Sequence, residues 1–410
     1  MKTIQVLDAL PGTGKSTAIF NMMKKNQDSK YIYVSPLLSE VEVRIQSELP
    51  EMQFKAPSSD SDTKTTDALK LLLDGENIAT THSLFALMDQ RHWQVIQSQG
   101  YTLILDEEIY VVEEFACKSR DVSMMVEQDS AEITCPYNQV ILKKPVSYFV
   151  GGSFENIAKE ASKGNLYTTK TNTFLVTQIP IELFKAAEQT IIITYMFEGC
   201  VLERFLRLHG IEWEYLEIPL YRSNDDVIKS LRDNIKFVHI PTMDPVKRIS
   251  LSSTWYKRTA TPTQLQLIGK IVRGVRTHAD NDDNRIMAAL PKLNASKGPK
   301  YVGRPKDRPV SNVYLSAMSR ATNDHSHKDV VLHCYDRYPH VSVSAYFQSH
   351  GLPIDSDQFA LSEMIQFIFR SAVRNGKPIS LFVASTRMKK LLEDWLNSQE
   401  EEQQLLENYA

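Results

Sequence analysis

Residues 4–20, IQVLDALPGTGKSTAIF, decide how this chain is expected to fold, because an apolar run leads into a glycine-containing loop and a second apolar run follows. This order predicts a β-strand, a phosphate-binding loop and an α-helix. In such a loop, backbone N–H groups surround the phosphates of a nucleotide, and the N-terminus of the helix points at the same anion. The predicted nucleotide-binding residues are Pro11, Gly12, Thr13, Gly14, Lys15, Ser16 and Thr17.

Two side chains of this loop carry its predicted chemistry. Lys15 supplies a positive charge to the β- and γ-phosphates, and the Ser16 hydroxyl is a ligand for Mg²⁺. We therefore predict ATP and Mg²⁺ as cofactors. Ala9 stands where such loops usually have their first glycine, and alanine keeps that position small. The alternative, a chance Gly-Lys-Ser in an ordinary loop, is disfavoured by the strand before it and the helix after it.

Further apolar runs alternate with helix-like segments, at residues 31–35, 77–82, 101–105 and 188–194. Strands that alternate with helices predict a largely parallel sheet with helices on both faces, so we expect an α/β fold. Residues 211–229 are predicted to be a linker, and a second α/β series follows it, including a helix at 358–375. We therefore expect two lobes, at residues 1–219 and 220–410.

An acidic triplet, Asp106-Glu107-Glu108, follows the apolar run at 101–105. A carboxylate at the end of a buried strand near the phosphate loop is placed to hold Mg²⁺, so Asp106 is a predicted metal ligand. Glu107 is predicted to be catalytic, as the group that orients and deprotonates the attacking water. The alternative is that the three acids cap a following helix, since acids are favoured in a first helical turn. The upstream phosphate loop favours the catalytic interpretation.

Three features each allow two interpretations. Residues 111–152, with strand-like pieces at 121–126 and 139–142, are either an insertion into the first lobe or a hairpin region. Thr194 either lies beside the metal-binding acids and senses the nucleotide, or caps the next helix. The segment 296–309 either contacts phosphates or carries solvated loop charge, and its basic residues are Lys297, Lys300, Arg304, Lys306 and Arg308.

The composition is that of an ordinary soluble protein, with 410 residues, 42% hydrophobic and 24% charged. No run approaches the roughly 18 apolar residues of a membrane helix, and the first residues lead directly into a strand, so we expect a cytoplasmic protein without membrane contact. The four cysteines are scattered without a C-x-x-C pair, which favours free thiols over a metal or disulfide framework. With a net charge of −3, any nucleic-acid site must be a local patch.

In their order along the chain, these motifs resemble those of superfamily 2 helicases of the DEAD/DEAH type, and the C-terminal half resembles bacteriophage members. In the first lobe the matches are residues 9–16 (ALPGTGKS, motif I), 34–36 (VSP, Ia), 80–84 (TTHSL, Ic), 106–109 (DEEI, II) and 194–196 (TYM, III). In the second lobe they are 320–323 (RATN, motif V) and Gln366-x-x-x-Arg370-x-x-x-Arg374 (motif VI). The resemblance spans residues 4–388 and implies two RecA-like P-loop NTPase lobes.

The resemblance also implies roles for residues of the second lobe. Gln366 would contact the nucleotide, and Arg370 and Arg374 would be catalytic, with either one as the arginine finger. On the predicted helix the two arginines are four residues apart and share one face. Phe369 replaces the glycine of motif VI, and the second arginine stands one position farther along than in the family. In motif III, Tyr195 and Met196 replace the family's Ala-Thr.

The nucleic acid would lie across both lobes, with its phosphates contacted chiefly by backbone N–H and hydroxyl groups that read no sequence. The residues implied in this contact are Ser35, Pro36, Thr81, His82, Thr322 and Asn323.

The implied function is that of an ATP-dependent helicase or translocase on single-stranded or partly duplex nucleic acid, DNA rather than RNA. Phage replication, recombination or repair would be its setting, with proteins of replication or recombination as candidate partners. Two alternatives stay open. One is a P-loop ATPase that acts on a protein partner or in DNA packaging without unwinding. The other is a GTPase- or kinase-type switch, which the absence of an N-K-x-D motif and the second lobe disfavour.

Overall fold

The computed structural model describes residues 3–60, 63–117, 119–291, 313–314 and 324–409. The chain divides into two compact units. Unit 1 comprises Met1–Asp8, Ser16–Ile218 and Pro339–Asp355. Unit 2 comprises Ala9–Lys15, Pro219–Tyr338 and Ser356–Ala410. Each unit therefore contains segments that are distant from one another in the sequence.

The strands of unit 1 are β1 (Ile4–Asp8), β2 (Tyr31–Ser35), β3 (Ile78–Thr81), β4 (Thr102–Asp106), β5 (Val112–Phe115), β6 (Ala131–Thr134), β7 (Gln139–Leu142), β8 (Leu166–Thr168), β9 (Leu175–Gln178), β10 (Gln189–Thr194) and β11 (Trp213–Tyr215). Six of them form a parallel sheet in the order β11-β1-β10-β4-β2-β3. The other five form an antiparallel sheet in the order β5-β9-β8-β7-β6. In unit 2, a parallel sheet in the order β12-β15-β14-β13 is built from β12 (Ile235–Phe237), β13 (Ile286–Ala289), β14 (Val330–His333) and β15 (Ile379–Val383).

The described helices are α1 (Lys15–Lys25), α2 (Ile45–Glu48), α3 (Lys64–Leu73), α4 (His82–Phe85), α5 (Gln90–Gln99), α6 (Ser119–Glu127), α7 (Glu155–Ala161), α8 (Glu182–Ala186), α9 (Val201–Leu208), α10 (Asn224–Asn234), α11 (Pro262–His278), α12 (Val341–Ser349), α13 (Ser356–Ile368) and α14 (Thr386–Tyr409). Two π-helical turns lie at Glu40–Arg44 and Trp255–Thr259. In the part of the chain that the structure covers, no helix is both long enough and apolar enough to cross a membrane.

The parallel sheet of unit 1 is covered on both faces. Every residue of β2 and of β4 is buried, as expected for strands inside such a sheet. On one face the sheet packs into a core with Ile96 of α5 and Phe205 of α9. On the other face, Phe20 of α1 packs against Tyr33 of β2. The predicted α/β fold, with parallel sheets flanked by helices, is confirmed.

The segment between β4 and β10 forms the antiparallel sheet, which extends to Gln178 and therefore past residue 152. The strand predicted at 139–142 is present, but the one predicted at 121–126 is wrong, because these residues lie in helix α6. Val122 and Met125 are three residues apart and both enter the local core beside this sheet. That spacing places them on one helical face.

The helix predicted at 358–375 is also wrong over its last residues. Helix α13 ends at Ile368, and Ser371 adopts an extended backbone before a short 3₁₀ turn at Ala372–Asn375. The Ala372 N–H donates to the carbonyl of Lys328 at 2.8 Å, so a tertiary hydrogen bond replaces the one that would continue the helix. Arg370 and Arg374 consequently do not share a helix face.

Helix α12 belongs to unit 1 although it comes from the C-terminal half of the chain. Val343, Tyr346 and Phe347 of this helix join the core of unit 1. The Tyr346 hydroxyl donates to the carbonyl of Tyr137 at 2.9 Å and accepts from Gln178 Nε2 at 2.6 Å. These contacts satisfy the polar end of a fully buried tyrosine, which explains how this helix stays packed in unit 1.

His333 ends β14 in the interior of unit 2. Its side chain is fully buried, its ring lies 5.9 Å from that of Phe367, and neither ring nitrogen has a hydrogen-bond partner among the described residues. Burial, with a smaller contribution from the charge of Arg337, lowers the pKa of His333 to about 3. The folded protein therefore keeps this imidazole neutral at pH values where an exposed histidine becomes charged.

We predict that His333→Leu stabilises the protein more at pH 5 than at pH 8. Below about pH 6.5 the unfolded wild type binds a proton that its folded state does not bind. The free energy of unfolding therefore decreases as the pH is lowered, by about 2 kcal/mol at pH 5. Leucine removes this linkage. The measurement is the midpoint of thermal unfolding of both proteins at the two pH values. The same difference between variant and wild type at pH 5 and pH 8 would contradict a neutral, buried His333.

Candidate active site

Two glycines of the phosphate loop occupy positions that other residues do not readily fill. Gly12 has a φ of +87° and Gly14 a φ of +91°, both in the left-handed region. A Cβ atom at residue 12 would lie 3.2 Å from Phe369 Cε1, and one at residue 14 would lie 3.0 Å from Tyr221 Cβ. Backbone conformation and space therefore both require glycine here, which brings the loop backbone close to its surroundings.

Hydrogen bonds order the loop from within. The Thr13 hydroxyl donates to the carbonyl of Leu10 at 2.8 Å. Lys15 Nζ donates to the carbonyls of Ala9 and Leu10, the latter at 3.1 Å. The Leu10 N–H donates to Asn224 Oδ1 at 2.8 Å. The Lys15 ammonium is thus held at the carbonyl groups of its own loop.

Asp106 is held from two directions at the end of β4. The Tyr33 hydroxyl donates to Asp106 Oδ2 at 2.5 Å. His82 Nε2 donates to the backbone carbonyl of Asp106 at 2.9 Å, which requires a proton on Nε2. Burial, followed by the charge of Asp106 and the hydrogen bond to it, raises the pKa of Tyr33 well above its usual value. Tyr33 therefore remains a hydrogen-bond donor.

Glu107 lies directly after β4 in a left-handed backbone conformation, with a φ of +63°. Its N–H donates to the carbonyl of Ile193 on the neighbouring strand β10 at 2.9 Å. Met196, just beyond the end of β10, has a φ of +53°. Non-glycine residues in this region carry backbone strain, which is concentrated at functional sites in known proteins. Two such residues thus follow adjacent strands at the predicted catalytic edge.

The capping alternatives for this region do not describe the structure. No helix follows Asp106 and Glu107 directly, since the described chain continues irregularly into β5. Glu108 does contact a helix N-terminus, but that of the later helix α9, where its Oε1 accepts the Leu202 N–H at 3.2 Å. Thr194 is not a helix cap either, because the N-cap of α9 is Cys200. Thr194 remains a buried residue at the end of β10.

The sheet register brings the carboxyl ends of β1, β10 and β4 to one edge. Asp8 pairs with Thr194, and Ile193 pairs with Asp106. The phosphate loop continues from Asp8 at this edge, and Ser16 follows it in the first turn of α1. Hydroxyl and carboxylate oxygens suit Mg²⁺, which usually takes one or two carboxylates together with the phosphates of a nucleotide. The residues present therefore fit a nucleotide with its magnesium ion.

The remaining predicted nucleotide-binding residues differ in exposure. Pro11 and Ser16 are half-buried, and Thr17 is exposed. In unit 2, Gln366 is half-buried on α13, Arg370 is buried in the turn after this helix with 4% of its surface exposed, and Arg374 is exposed in the 3₁₀ turn. The two arginines thus have different environments.

The predicted nucleic-acid residues of unit 1 lie on β2, β3 and the segments that follow them. Ser35 pairs with Thr81 in the parallel register. The Ser35 hydroxyl is buried and has no hydrogen-bond partner among the described residues, and Pro36 is half-buried. Thr81 accepts the Leu84 N–H as the N-cap of α4. His82 follows and bonds to the backbone of Asp106, so this segment is directly linked to the predicted metal ligand.

Thr322 and Asn323 of the motif V-like segment lie outside the described residues, as does the basic segment 296–309. Their predicted roles remain sequence-based predictions.

Sequence reasoning missed residues that the structure brings to these sites. Tyr33 lies on a strand that was predicted, but a tyrosine inside an apolar run gives no signal of its partner across the sheet. Arg44 lies in a π-helical turn and bonds to Glu40 at 2.7 Å. Burial disfavours the charge of Arg44, but Glu40, together with Tyr33 and Asp106, raises its pKa.

Comparison with known proteins identifies relatives of this chain. Residues 229–396 match the family model described as the YonV C-terminal Rossmann-like domain. The chain is 27% identical to the "SPbeta prophage-derived uncharacterized protein YonV" of Bacillus subtilis (strain 168), over 97% of this chain and 100% of that protein. This is a similarity along nearly the whole length of both chains.

A solved structure resembles the whole chain. The structure of S. tokodaii Xpd4 matches with a TM-score of 0.51 and 11% sequence identity, over 96% of this chain and 94% of that one. At this identity the likeness concerns the fold. The prediction of an α/β fold with two RecA-like lobes is confirmed.

Proposed function

We propose that this chain is an ATP hydrolase of the superfamily 2 type that couples ATP turnover to movement along nucleic acid. One observation carries the proposal. The glycine loop, with left-handed Gly12 and Gly14, follows β1 at one edge of the parallel sheet. Asp106 and Glu107 lie at the same edge, at the end of β4, with β10 between the two strands. A phosphate loop and a carboxylate pair at one edge of a parallel sheet are the elements that P-loop hydrolases use.

Each residue of the first group has a chemical role in this proposal. The loop N–H groups and Lys15 bind the phosphates, while Ser16 and Asp106 hold the magnesium ion. Held by Ser16 and Asp106, a magnesium ion would supply positive charge to neutralise the charge that develops on the phosphates. Glu107 orients the attacking water and accepts its proton. Its backbone, fixed by the bond to Ile193, aims the carboxylate from a defined position.

The second group completes the proposed site from the other lobe. We assign residues 1–219 to lobe 1 and residues 220–410 to lobe 2, except that helix α12 packs in the core of unit 1. Gln366 contacts the nucleotide, and an arginine from lobe 2 stabilises charge on the transferred phosphoryl group. Arg370 and Arg374 are the candidates for this role. Such a site is complete only when the lobes close, which links turnover to a conformational cycle.

The proposed track is a single-stranded or partly duplex nucleic acid, DNA rather than RNA. Contacts to its phosphates come from Ser35, Pro36, Thr81, His82, Thr322 and Asn323. The hydrogen bond of His82 to the Asp106 backbone supports a coupling between the track and the ATP site. The prophage-derived relative supports a phage setting in the host cytoplasm. In that setting we propose a role in replication, recombination or repair, with proteins of replication or recombination as partners.

We predict that ATP hydrolysis by the purified protein is stimulated by nucleic acid, most strongly by single-stranded DNA. The measurement is steady-state phosphate release without nucleic acid and with single-stranded DNA, duplex DNA or RNA at low salt. Stimulation should weaken as salt is raised, because the contacts are with phosphates. Hydrolysis that is indifferent to every nucleic acid would instead favour an ATPase that acts on a protein partner.

We predict that Lys15→Ala and Glu107→Gln reduce hydrolysis by at least about 10²-fold, through different steps. Lys15→Ala removes the charge that binds the phosphates, so nucleotide binding weakens. Glu107→Gln removes the proton acceptor, so a fluorescent ATP analogue still binds. Lys25→Ala, on the same helix, and Glu113→Gln, at an exposed position of β5, are the matched controls and should hydrolyse ATP normally. Normal turnover by either site variant would overturn the assignment.

A further inference from the structure

The carboxylate of Asp106 has a buried partner that the proposed mechanism does not use. Tyr33 of β2 and Asp106 of β4 lie on adjacent strands, where Val34 pairs with Leu105. The Tyr33 hydroxyl donates to Asp106 Oδ2 at 2.5 Å, and the exposed fractions of the two residues are 1% and 9%. A hydrogen bond this short to a carboxylate, in a buried setting, is among the stronger kinds in proteins.

The Tyr33 ring has little freedom to move this hydroxyl. It packs against Phe20 of α1 with 5.7 Å between ring centroids and an angle of 45° between the rings. Helix α1 is the helix that begins at Lys15 and Ser16, directly after the phosphate loop. The same tyrosine therefore contacts the helix that carries one predicted magnesium ligand and bonds to the other ligand.

The surroundings keep the donor and the acceptor in their roles. A phenol has a pKa of about 10 in water, so the Tyr33 hydroxyl is the donor of this bond and the Asp106 carboxylate is the acceptor. The other charged groups that influence Tyr33 are Arg44 and Glu40, which bond to each other in the π-helical turn. The Asp106 backbone is fixed separately by His82. The side-chain bond with Tyr33 acts on the carboxylate itself, at Oδ2.

We propose that Tyr33 is a positioning residue for magnesium, which orients the Asp106 carboxylate through its hydroxyl and couples that carboxylate to helix α1. This inference rests on the proposed ATP hydrolysis and adds a residue that the motif comparison does not include. Removal of a group that hydrogen-bonds to a metal ligand typically lowers metal affinity or activity by about 10- to 100-fold. Tyr33 acts through Asp106 and does not touch the nucleotide in this proposal.

The test is Tyr33→Phe, which removes only the hydroxyl and keeps the ring packed against Phe20. Tyr31→Phe is the matched control. Tyr31 is buried on the same strand and the same face, and its hydroxyl donates to the carbonyl of Asn26 at 3.0 Å. Binding of a fluorescent, non-hydrolysable ATP analogue is measured in EDTA and over a series of free Mg²⁺ concentrations. Steady-state hydrolysis of ATP is measured over the same series.

For Tyr33→Phe we expect unchanged binding in EDTA and about a tenfold rise in the Mg²⁺ concentration that gives half of the magnesium-dependent binding. The half-maximal Mg²⁺ concentration for hydrolysis should rise in parallel. Tyr31→Phe should leave both values unchanged. If Tyr33→Phe shifts them no more than Tyr31→Phe does, this inference fails while the proposed function stands. If the wild type binds no nucleotide at any Mg²⁺ concentration, the proposed function fails, and this inference fails with it.

A second measurement does not depend on nucleotide. Thermal unfolding in EDTA is compared for the wild type, Tyr33→Phe, Asp106→Ala and the double variant. If the hydroxyl and the carboxylate act on each other, the double variant loses less than the sum of the two single losses, because both single changes break the same bond. Additive losses would overturn the inference.

Discussion

The parallel pairing of β1, β10 and β4 is the constraint on which the rest of unit 1 depends. In a parallel sheet the carboxyl ends of neighbouring strands point to the same edge, and the register sets Asp8, Thr194 and Asp106 beside one another. Both faces of the sheet are buried, so a slip of one residue would move apolar side chains out of the cores on both faces. The cost of such a slip fixes the position of Asp106 before any ligand binds.

This edge also concentrates backbone and side-chain features that are unfavourable elsewhere. Glu107 and Met196 adopt left-handed conformations that cost of order 1–3 kcal/mol each in non-glycine residues. Asp106 is a buried acid, which requires hydrogen bonds to be tolerated. The Tyr33 hydroxyl donates to this carboxylate, and His82 donates to the backbone carbonyl of the same residue. The well-packed sheet beneath the edge provides the stability that lets these features persist.

The division into two units does not follow the order of the sequence. Helix α12 comes from the C-terminal half of the chain, yet Tyr346 and its neighbours complete the core of unit 1. The antiparallel sheet that this helix contacts lies between β4 and β10, the strands that carry Asp106 and Thr194. The chain therefore forms an accessory layer after β4 and before it returns to β10, the strand beside β4 in the sheet. This layer combines segments that are about 200 residues apart in the sequence.

Local patterns of sequence were sufficient for much of this architecture. The strand, glycine loop and helix of residues 4–20, the buried strands that follow and the acids after β4 are encoded by short-range periodicity and composition, so they were predictable. Three predictions failed where local signals were ambiguous. The linker predicted at 211–229 contains β11, which pairs with β1, and the start of α10. The mixed composition of residues 121–126 fits a strand or a helix. After α13 ends at Ile368, the Ala372 N–H bonds to the carbonyl of Lys328, a contact that no local pattern reveals.

The sequence by itself determined that this chain is an α/β protein, with a glycine loop after its first strand and a carboxylate pair after β4, because these depend on residues close together in the chain. Tertiary structure alone decided the contacts between segments that are distant in the sequence. The bond of Tyr33 to Asp106 and the placement of α12 in unit 1 both join residues that are far apart in the sequence. The fold also gives Arg370 a buried environment and leaves Arg374 exposed. Such contacts arise from the packing of whole elements, and packing is settled only when every buried surface has found its partner.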